Sequence, residues 1–255
     1  MIGQSAATWT AALPIGAVAL VVLLLPGWFA AWLVGARGFA TVAVAPAISV
    51  TTLTVGGVLS AAIGVPWGPL ALAGWTLVTW AVALLVGRVL GRSGPRLRNS
   101  RRPASMQDVD RPGAPGSPGV RAPRRSVAEE WLWPAVAVVI AAVGLAVAFL
   151  PVAGRPSSFP QQPDTVFHLG AVQWMLDHQD ISTLHAAGFA YERGTGFYPA
   201  GFHDVVVSVV QLCSTLGIAG ATPVVAATMV SLATAAVVWP LGCVLLVRTL
   251  LGRGL

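Results

Sequence analysis

Five separate stretches of this chain are long and apolar enough to cross a lipid bilayer, and no other feature constrains its fold as strongly. A spanning helix needs about 20 mostly apolar residues, and such runs lie near 12–35, 39–63, 69–90, 131–151 and 222–247. Within hydrocarbon every backbone N–H and C=O must be satisfied by the protein itself, which a helix does along its own length. Only 9% of the residues are charged, against about a quarter in an ordinary soluble domain, so a soluble globule is excluded. The expected fold is all-α: a polytopic transmembrane helix bundle of about five spans plus an interfacial helix, with one helical extracytoplasmic loop. The first run begins near Ala11 after a segment without positive charge, and it is longer than the apolar core of a secretory signal, so it reads as a retained helix. Pro26-Gly27 in the first run and Pro46 in the second predict kinks, tolerated where neighbouring helices re-satisfy the freed carbonyls.

The basic residues set an expected orientation. Ten of the fifteen arginines fall between Arg88 and Arg125, flanked by membrane-length runs, which points to topology rather than to nucleic acid. The stretch 88–128 carries those ten arginines against Asp108 and Asp110, a formal +8, and by the positive-inside rule it belongs in the cytoplasm. Its Pro, Gly, Ser and Arg cannot bury enough apolar surface to fold, so 91–128 reads as a disordered linker able to touch anionic lipid. Counting spans from there places the N-terminus outside, Arg37 inside, the turn from Val65 to Gly68 outside and 152–203 outside, in a cell membrane. The expected organisation is therefore 1–90 (three spans), 91–128 (linker), 129–151 (fourth span), 152–203 (outer polar loop), 204–219 and 220–255 (last span and cytoplasmic end). Segment 204–217 is apolar but fourteen residues long, too short to span, and suits an interfacial or re-entrant helix. Cys213 and Cys243 both lie in apolar stretches without metal-ligand spacing and read as small core residues. The chain ends shortly after a helix terminus, as expected of the N-terminal part of something longer.

Polar chemistry is concentrated in the outer loop. All four histidines (His168, His178, His185, His203) and five of the nine acids fall in the 41 residues from Asp164 to Asp204. The plain alternative is that the largest wet segment simply holds the polar residues. Phe159 to Pro163 reads as extended, and Asp164 then opens a helix through about His178 with Asp164 as its N-cap. At 3.6 residues per turn Asp164 and His168 share a stripe and can address one ligand, as a metal-binding or acid/base pair; plain capping is the rival role for Asp164. Asp177, His178 and Asp180 end the helix, Ser182 caps a short turn leading to His185 and Gly188, and Tyr191 to Gly196 is a flexible turn. Tyr198 and Phe202 suit an interfacial aromatic belt, and Pro199 the first turn of the next helix. His203 and Asp204 then sit at the membrane surface, either as a functional ionisable pair or as a solvated helix start.

Asp164-x-x-x-His168-Leu169 after a membrane helix, then Phe197-Tyr198-Pro199-x-x-x-His203 opening an amphipathic helix, then a long apolar helix ending Leu246-Val247-Arg248-Thr249-Leu250-Leu251-Gly252, resembles the first outer loop of GT-C fold glycosyltransferases. It looks especially like a family of large, uncharacterised actinobacterial polytopic membrane proteins. The resemblance covers about 150–252 and implies transfer of sugar from a polyprenyl-phosphate donor to a cell-envelope acceptor. It implies Asp164 as catalytic base or metal ligand with His168 beside it, and Tyr198 and His203 lining the donor or acceptor groove. Asp204 and Arg193 are further candidate substrate contacts, and the implied cofactor is a divalent cation, Mg or Mn, at Asp164. Membrane lipid and the polyprenyl-phosphate sugar donor are the expected partners, with no nucleic acid. Two departures stand out: three helices and a basic linker precede the loop, and the further helices of GT-C enzymes do not follow it here. The alternative is a non-catalytic membrane protein whose loop binds a partner or lipid. A transporter would need ionisable groups within its spans, and the five runs show almost none.

Overall fold

The computed structural model describes residues 8–93, 127–158, 162–189 and 196–251. These form helices α1 (Trp9–Val34), α2 (Phe39–Ala62), α3 (Pro69–Ser93), α4 (Val127–Ala153), α5 (Pro163–His178), α6 (Gly201–Thr215), α7 (Pro223–Ala233) and α8 (Trp239–Leu250), with a π turn, Thr234–Val238, joining the last two. Five stretches qualify as spans by length and composition: α1, α2, α3, α4 and the continuous α7–π–α8 segment. The chain is a polytopic helical membrane protein. The expected linker, 91–128, gives its first and last residues to α3 and α4, and 94–126 lies outside the described residues.

Small residues let the first two helices touch. A Cβ at Gly27 would run into the Ala45 carbonyl, so the backbones of α1 and α2 meet where Pro26 and Pro46 interrupt their ladders. The Gly27 N–H donates to Ser49 Oγ at 2.9 Å, and Trp80 Nε1 on α3 donates to the Pro26 carbonyl at 2.8 Å. Backbone groups beside Pro26 are thus served by side chains of neighbouring helices, the kind of compensation that makes proline tolerable in a span. Thr8 caps α1 through the Ala11 N–H, and Gly35, at φ 113°, ends it.

The last span is not a uniform α-helix. Pro240 has no N–H to give and its ring crowds the preceding turn; the helix widens there, and the Trp239 N–H bonds to the Thr234 carbonyl, five residues back. α4 packs on this π turn and on α8. Cys213 is buried as expected, but Cys243 lies on an exposed face of α8, a correction that follows from α8 having most of its surface turned away from the bundle.

α5, α6 and the turn between α2 and α3 gather at one end of the bundle. α6 has 15 residues, about 22 Å of helix, which cannot cross a hydrocarbon core of about 30 Å. It packs instead against α1, α2, α3, α5 and α7, with Val205, Val206, Val207 and Val209 fully enclosed. Trp67, in the α2–α3 turn, ties this end together. Its N–H donates to the Gln179 carbonyl at 2.6 Å, its Nε1 to Ser208 Oγ at 3.3 Å, and its carbonyl accepts from Gln211 Nε2 at 3.1 Å.

Candidate functional site

The site grows from the start of α5. Pro163 takes the first helical position, for which its fixed φ is suited, and Gln162 is the N-cap. Asp164 is therefore not the cap expected from the sequence; it lies inside the first turn, exposed. One turn on, Thr165, His168, Leu169 and Val172 form a continuous face. Asp164 lies at the edge of that face, about 40° around the helix from His168.

That face is one wall of a cavity of about 660 Å³. The end of α4 and the turn after it supply Phe149, Ala153, Arg155 and Ser158; α6 supplies Phe202, and α7 supplies Val224, Ala227, Thr228 and Ser231. Most of the surface is apolar, with Arg155, Ser158, Thr165, His168, Thr228 and Ser231 as its polar groups. The volume falls within the range of ordinary small-molecule sites, roughly 300–1,000 Å³.

Behind this wall lies the His168–His203 pair. His168 Nδ1 and His203 Nε2 are 3.0 Å apart. Tyr198 completes the group, its ring centroid 5.6 Å from His203 and 5.3 Å from Phe167. The chain reaches this geometry through Thr183, whose Oγ1 donates to the Tyr198 carbonyl at 3.1 Å and accepts the Ala200 N–H at 3.2 Å. The Tyr198 N–H also bonds to the Thr183 carbonyl at 2.9 Å. These bonds fix 198–200 against Thr183 ahead of α6, whose N-cap is Ala200, so that Pro199 lies before the helix rather than in its first turn. Tyr198, half-buried, faces this cluster.

His203 and Asp204 are not a solvated helix start. They are 2% and 0% exposed, because α6 turns them against α5 and α2. Thr54 Oγ1 on α2 donates to Asp204 Oδ2 at 2.9 Å. Burial, then the neighbouring His168 ring, brings the His203 pKa down to about 4, with the Ala200 carbonyl opposing. Burial pushes the Asp204 carboxyl up to about 8 against the Thr54 hydrogen bond. Both groups are thus mainly neutral at pH 7, as an ionisable group in an apolar interior must be unless it is paired. His203 Nδ1 and Asp204 Oδ1 are buried without a partner in hydrogen-bond geometry.

The other loop histidines lie elsewhere. His178 stacks on Trp174 and approaches the Trp174 carbonyl at 2.8 Å, about 15 Å along the helix from His168. His185 Nδ1 meets Asp180 Oδ2 at 2.7 Å. Asp180 Oδ1 accepts the Ser182 N–H and Ser182 Oγ the Leu184 N–H, so these residues form the turn after α5. Arg193, within 190–195, and residues 159–161 of the stretch expected to be extended lie outside the described residues. Among the described residues no three His, Cys, Asp or Glu side chains come together as a group that could hold a metal ion.

Sequence reasoning missed Ser158, Thr228 and Thr54, whereas Arg155, one of the two loop arginines it offered to a phosphate, does line the groove. The face Thr165, His168, Leu169, Val172 was readable from helical spacing alone. Thr54, in contrast, sits 150 residues from Asp204 on a different span, and no local pattern marks it. Fold and site together define a polytopic helical membrane protein with a partly buried imidazole pair at the wall of an apolar groove. The chain belongs to a family of unknown function (DUF6541), which its residues 20–254 match. No curated protein and no solved structure matches it.

Proposed function

We propose that this protein acts on a lipid-linked phosphate, transferring sugar from a polyprenyl-phosphate donor to a cell-envelope acceptor in the manner implied by the GT-C resemblance. The observation that carries the reading is the groove: a long apolar trough bounded by α4, α5 and α7, with Arg155 and His168 among its few polar groups. An isoprenoid chain suits the apolar walls and a phosphate suits the arginine. Asp164 and His168 are the catalytic candidates, and the Tyr198 ring packs near that of His168. Asp204, fully buried and bonded to Thr54, does not line the groove, so it is not the substrate contact expected from the sequence. A lipid-binding protein without transferase activity would use the same groove, and transfer assays separate the two.

A polyprenyl phosphate bearing a photoactivatable group on its isoprenoid is expected to label the protein in membranes. Thr228→Trp, which fills the trough, should lower labelling roughly tenfold, the equivalent of about 1.4 kcal/mol of lost packing. Undiminished labelling of Thr228→Trp would count against the groove as the lipid site.

The reading also places α5 on the outer face of the cell membrane and the arginine-rich segment in the cytoplasm. With Cys213→Ser and Cys243→Ser as background, Gln173→Cys, exposed on α5, should react with an impermeant maleimide in intact cells. Ser117→Cys should react only after permeabilisation, and its labelling in intact cells would reverse the orientation.

A further inference from the structure

On the reading of the groove as the seat of a polyprenyl phosphate, we infer that Trp9, at the start of α1, is a positioning residue for the phosphate end: its indole N–H holds the turn that carries Arg155 and Ser158. Trp9 Nε1 donates to the Gly154 carbonyl at 3.1 Å, across 145 positions of sequence. Gly154 follows α4 at φ 66°, the left-handed conformation that ends a helix and that glycine adopts without strain. The turn then closes on itself. The Arg155 N–H donates to Ser158 Oγ at 3.0 Å, and the Ser158 N–H donates to the Arg155 carbonyl at 2.9 Å. Ser158 Oγ accepts in the first of these bonds, so its own O–H is left to donate.

Arg155 is the one permanently charged side chain lining the groove, and Ser158 lines it beside Arg155. Arg155 is exposed, and among the described residues its guanidinium has no carboxylate within ion-pair distance. A guanidinium and a hydroxyl three residues apart on a closed turn supply the donors that a phosphate monoester takes up. The apolar walls from α4, α5 and α7 suit the hydrocarbon attached to it. A free phosphate would use the same donors and none of the walls.

Trp9 does not line the groove, yet it is fixed to one wall and reaches another. Thr8 caps α1 through the Ala11 N–H, and Ala12 and Ile15 are buried. α1 packs on α7 so closely that a Cβ at Gly16 would lie 2.5 Å from the Met229 methyl carbon. α7 supplies the wall of Val224, Ala227, Thr228 and Ser231. α4, which supplies Phe149 and Ala153, packs on α2, the π turn and α8 and is mostly exposed. The indole N–H thus ties the end of a sparsely packed helix to the firmly packed α1–α7 pair, at the turn on which Arg155 and Ser158 stand. A tryptophan at the membrane surface also anchors its helix in the interface, a role that does not depend on the headgroup of a bound lipid.

Two photoactivatable lipids, a polyprenyl phosphate and the polyprenol that lacks only the phosphate, are compared on the full chain in zwitterionic lipid nanodiscs. The wild type should reach half-labelling at a concentration about 10–100-fold lower for the phosphate, as hydrogen bonds to a charged group provide. Arg155→Gln should bring the two lipids close together. Trp9→Phe, which keeps an aromatic ring and removes the N–H, should reduce the preference about three- to tenfold, as loss of a neutral hydrogen bond does, and leave polyprenol labelling unchanged. Benzothienylalanine at position 9, with sulfur in place of the N–H, gives the same comparison should Trp9→Phe not fold. A full wild-type preference in these variants overturns the positioning role and leaves the groove reading standing. So does an equal loss for both lipids, which marks a structural or interfacial tryptophan. A wild type that does not distinguish the lipids overturns the phosphate seat and, with it, the transfer reading for this groove. Millimolar inorganic phosphate should leave the lipid in place; displacement by it would assign the turn to free phosphate and overturn the lipid assignment.

Discussion

Asp204→Asn is expected to gain thermal stability over the parent protein as the pH is raised from about 6 to 8, the gap widening by about 1.4 kcal/mol per pH unit. The folded carboxyl is raised to about 8 from a reference of 3.8. Between those values the folded protein holds a proton that the unfolded chain has released, so stability falls as the pH rises. That contribution is fully present below the unfolded pKa and is lost by the time pH passes the folded one. His203 works in the opposite sense, because its pKa is lowered to about 4 from 6.5: the folded state binds fewer protons in that window and stability rises with pH. The two slopes offset each other between about pH 4 and 6.5, and above that the Asp204 slope stands alone. The asparagine keeps the shape and can accept from Thr54 while carrying no titratable proton. Unfolding of both proteins in one detergent, followed from pH 6 to 9, measures the gap. Parallel stability curves would show that Asp204 is ionised or hydrated in the folded protein.

The second large effect concerns transfer itself. His168→Ala is expected to lower sugar transfer from a polyprenyl-phosphate donor by about 10²–10⁴-fold, the usual contribution of a positioned acid or base, with abundance in membranes unchanged because His168 is only partly buried. Asp164 is tested beside it with two substitutions. Capping no longer competes as an explanation, since Gln162 is the N-cap, so any loss in Asp164→Asn reflects the charge or its proton affinity. If Asp164 is catalytic, Asn and Ala should impair transfer alike, because an amide neither takes up the proton nor carries the charge. Wild-type rates in Asp164→Asn, together with loss in His168→Ala, would remove Asp164 from the chemistry and leave His168 as the sole base.

The sequence alone determined the number and places of the spans, because an apolar run of about 20 residues has one stable form in a bilayer and its boundaries are written in its own composition. It also identified α6 as too short to cross, and the loop from Asp164 to Asp204 as the place where polar chemistry gathers. It set Asp164 as a cap, two residues off, since Pro163 competes for the helix start through its fixed φ and local pattern does not rank the two. The surroundings of the loop residues were beyond its reach. Whether His203 and Asp204 face water or the interior depends on how α6 lies against α2 and α5, and the same residues on an isolated amphipathic helix would be solvated. The pairing of His168 with His203 across 35 positions, and of Asp204 with Thr54 across 150, exists only once packing has brought separate helices together. A side chain's protonation and partners follow from the dielectric and the neighbours that packing supplies, and for these residues only the tertiary structure supplies them.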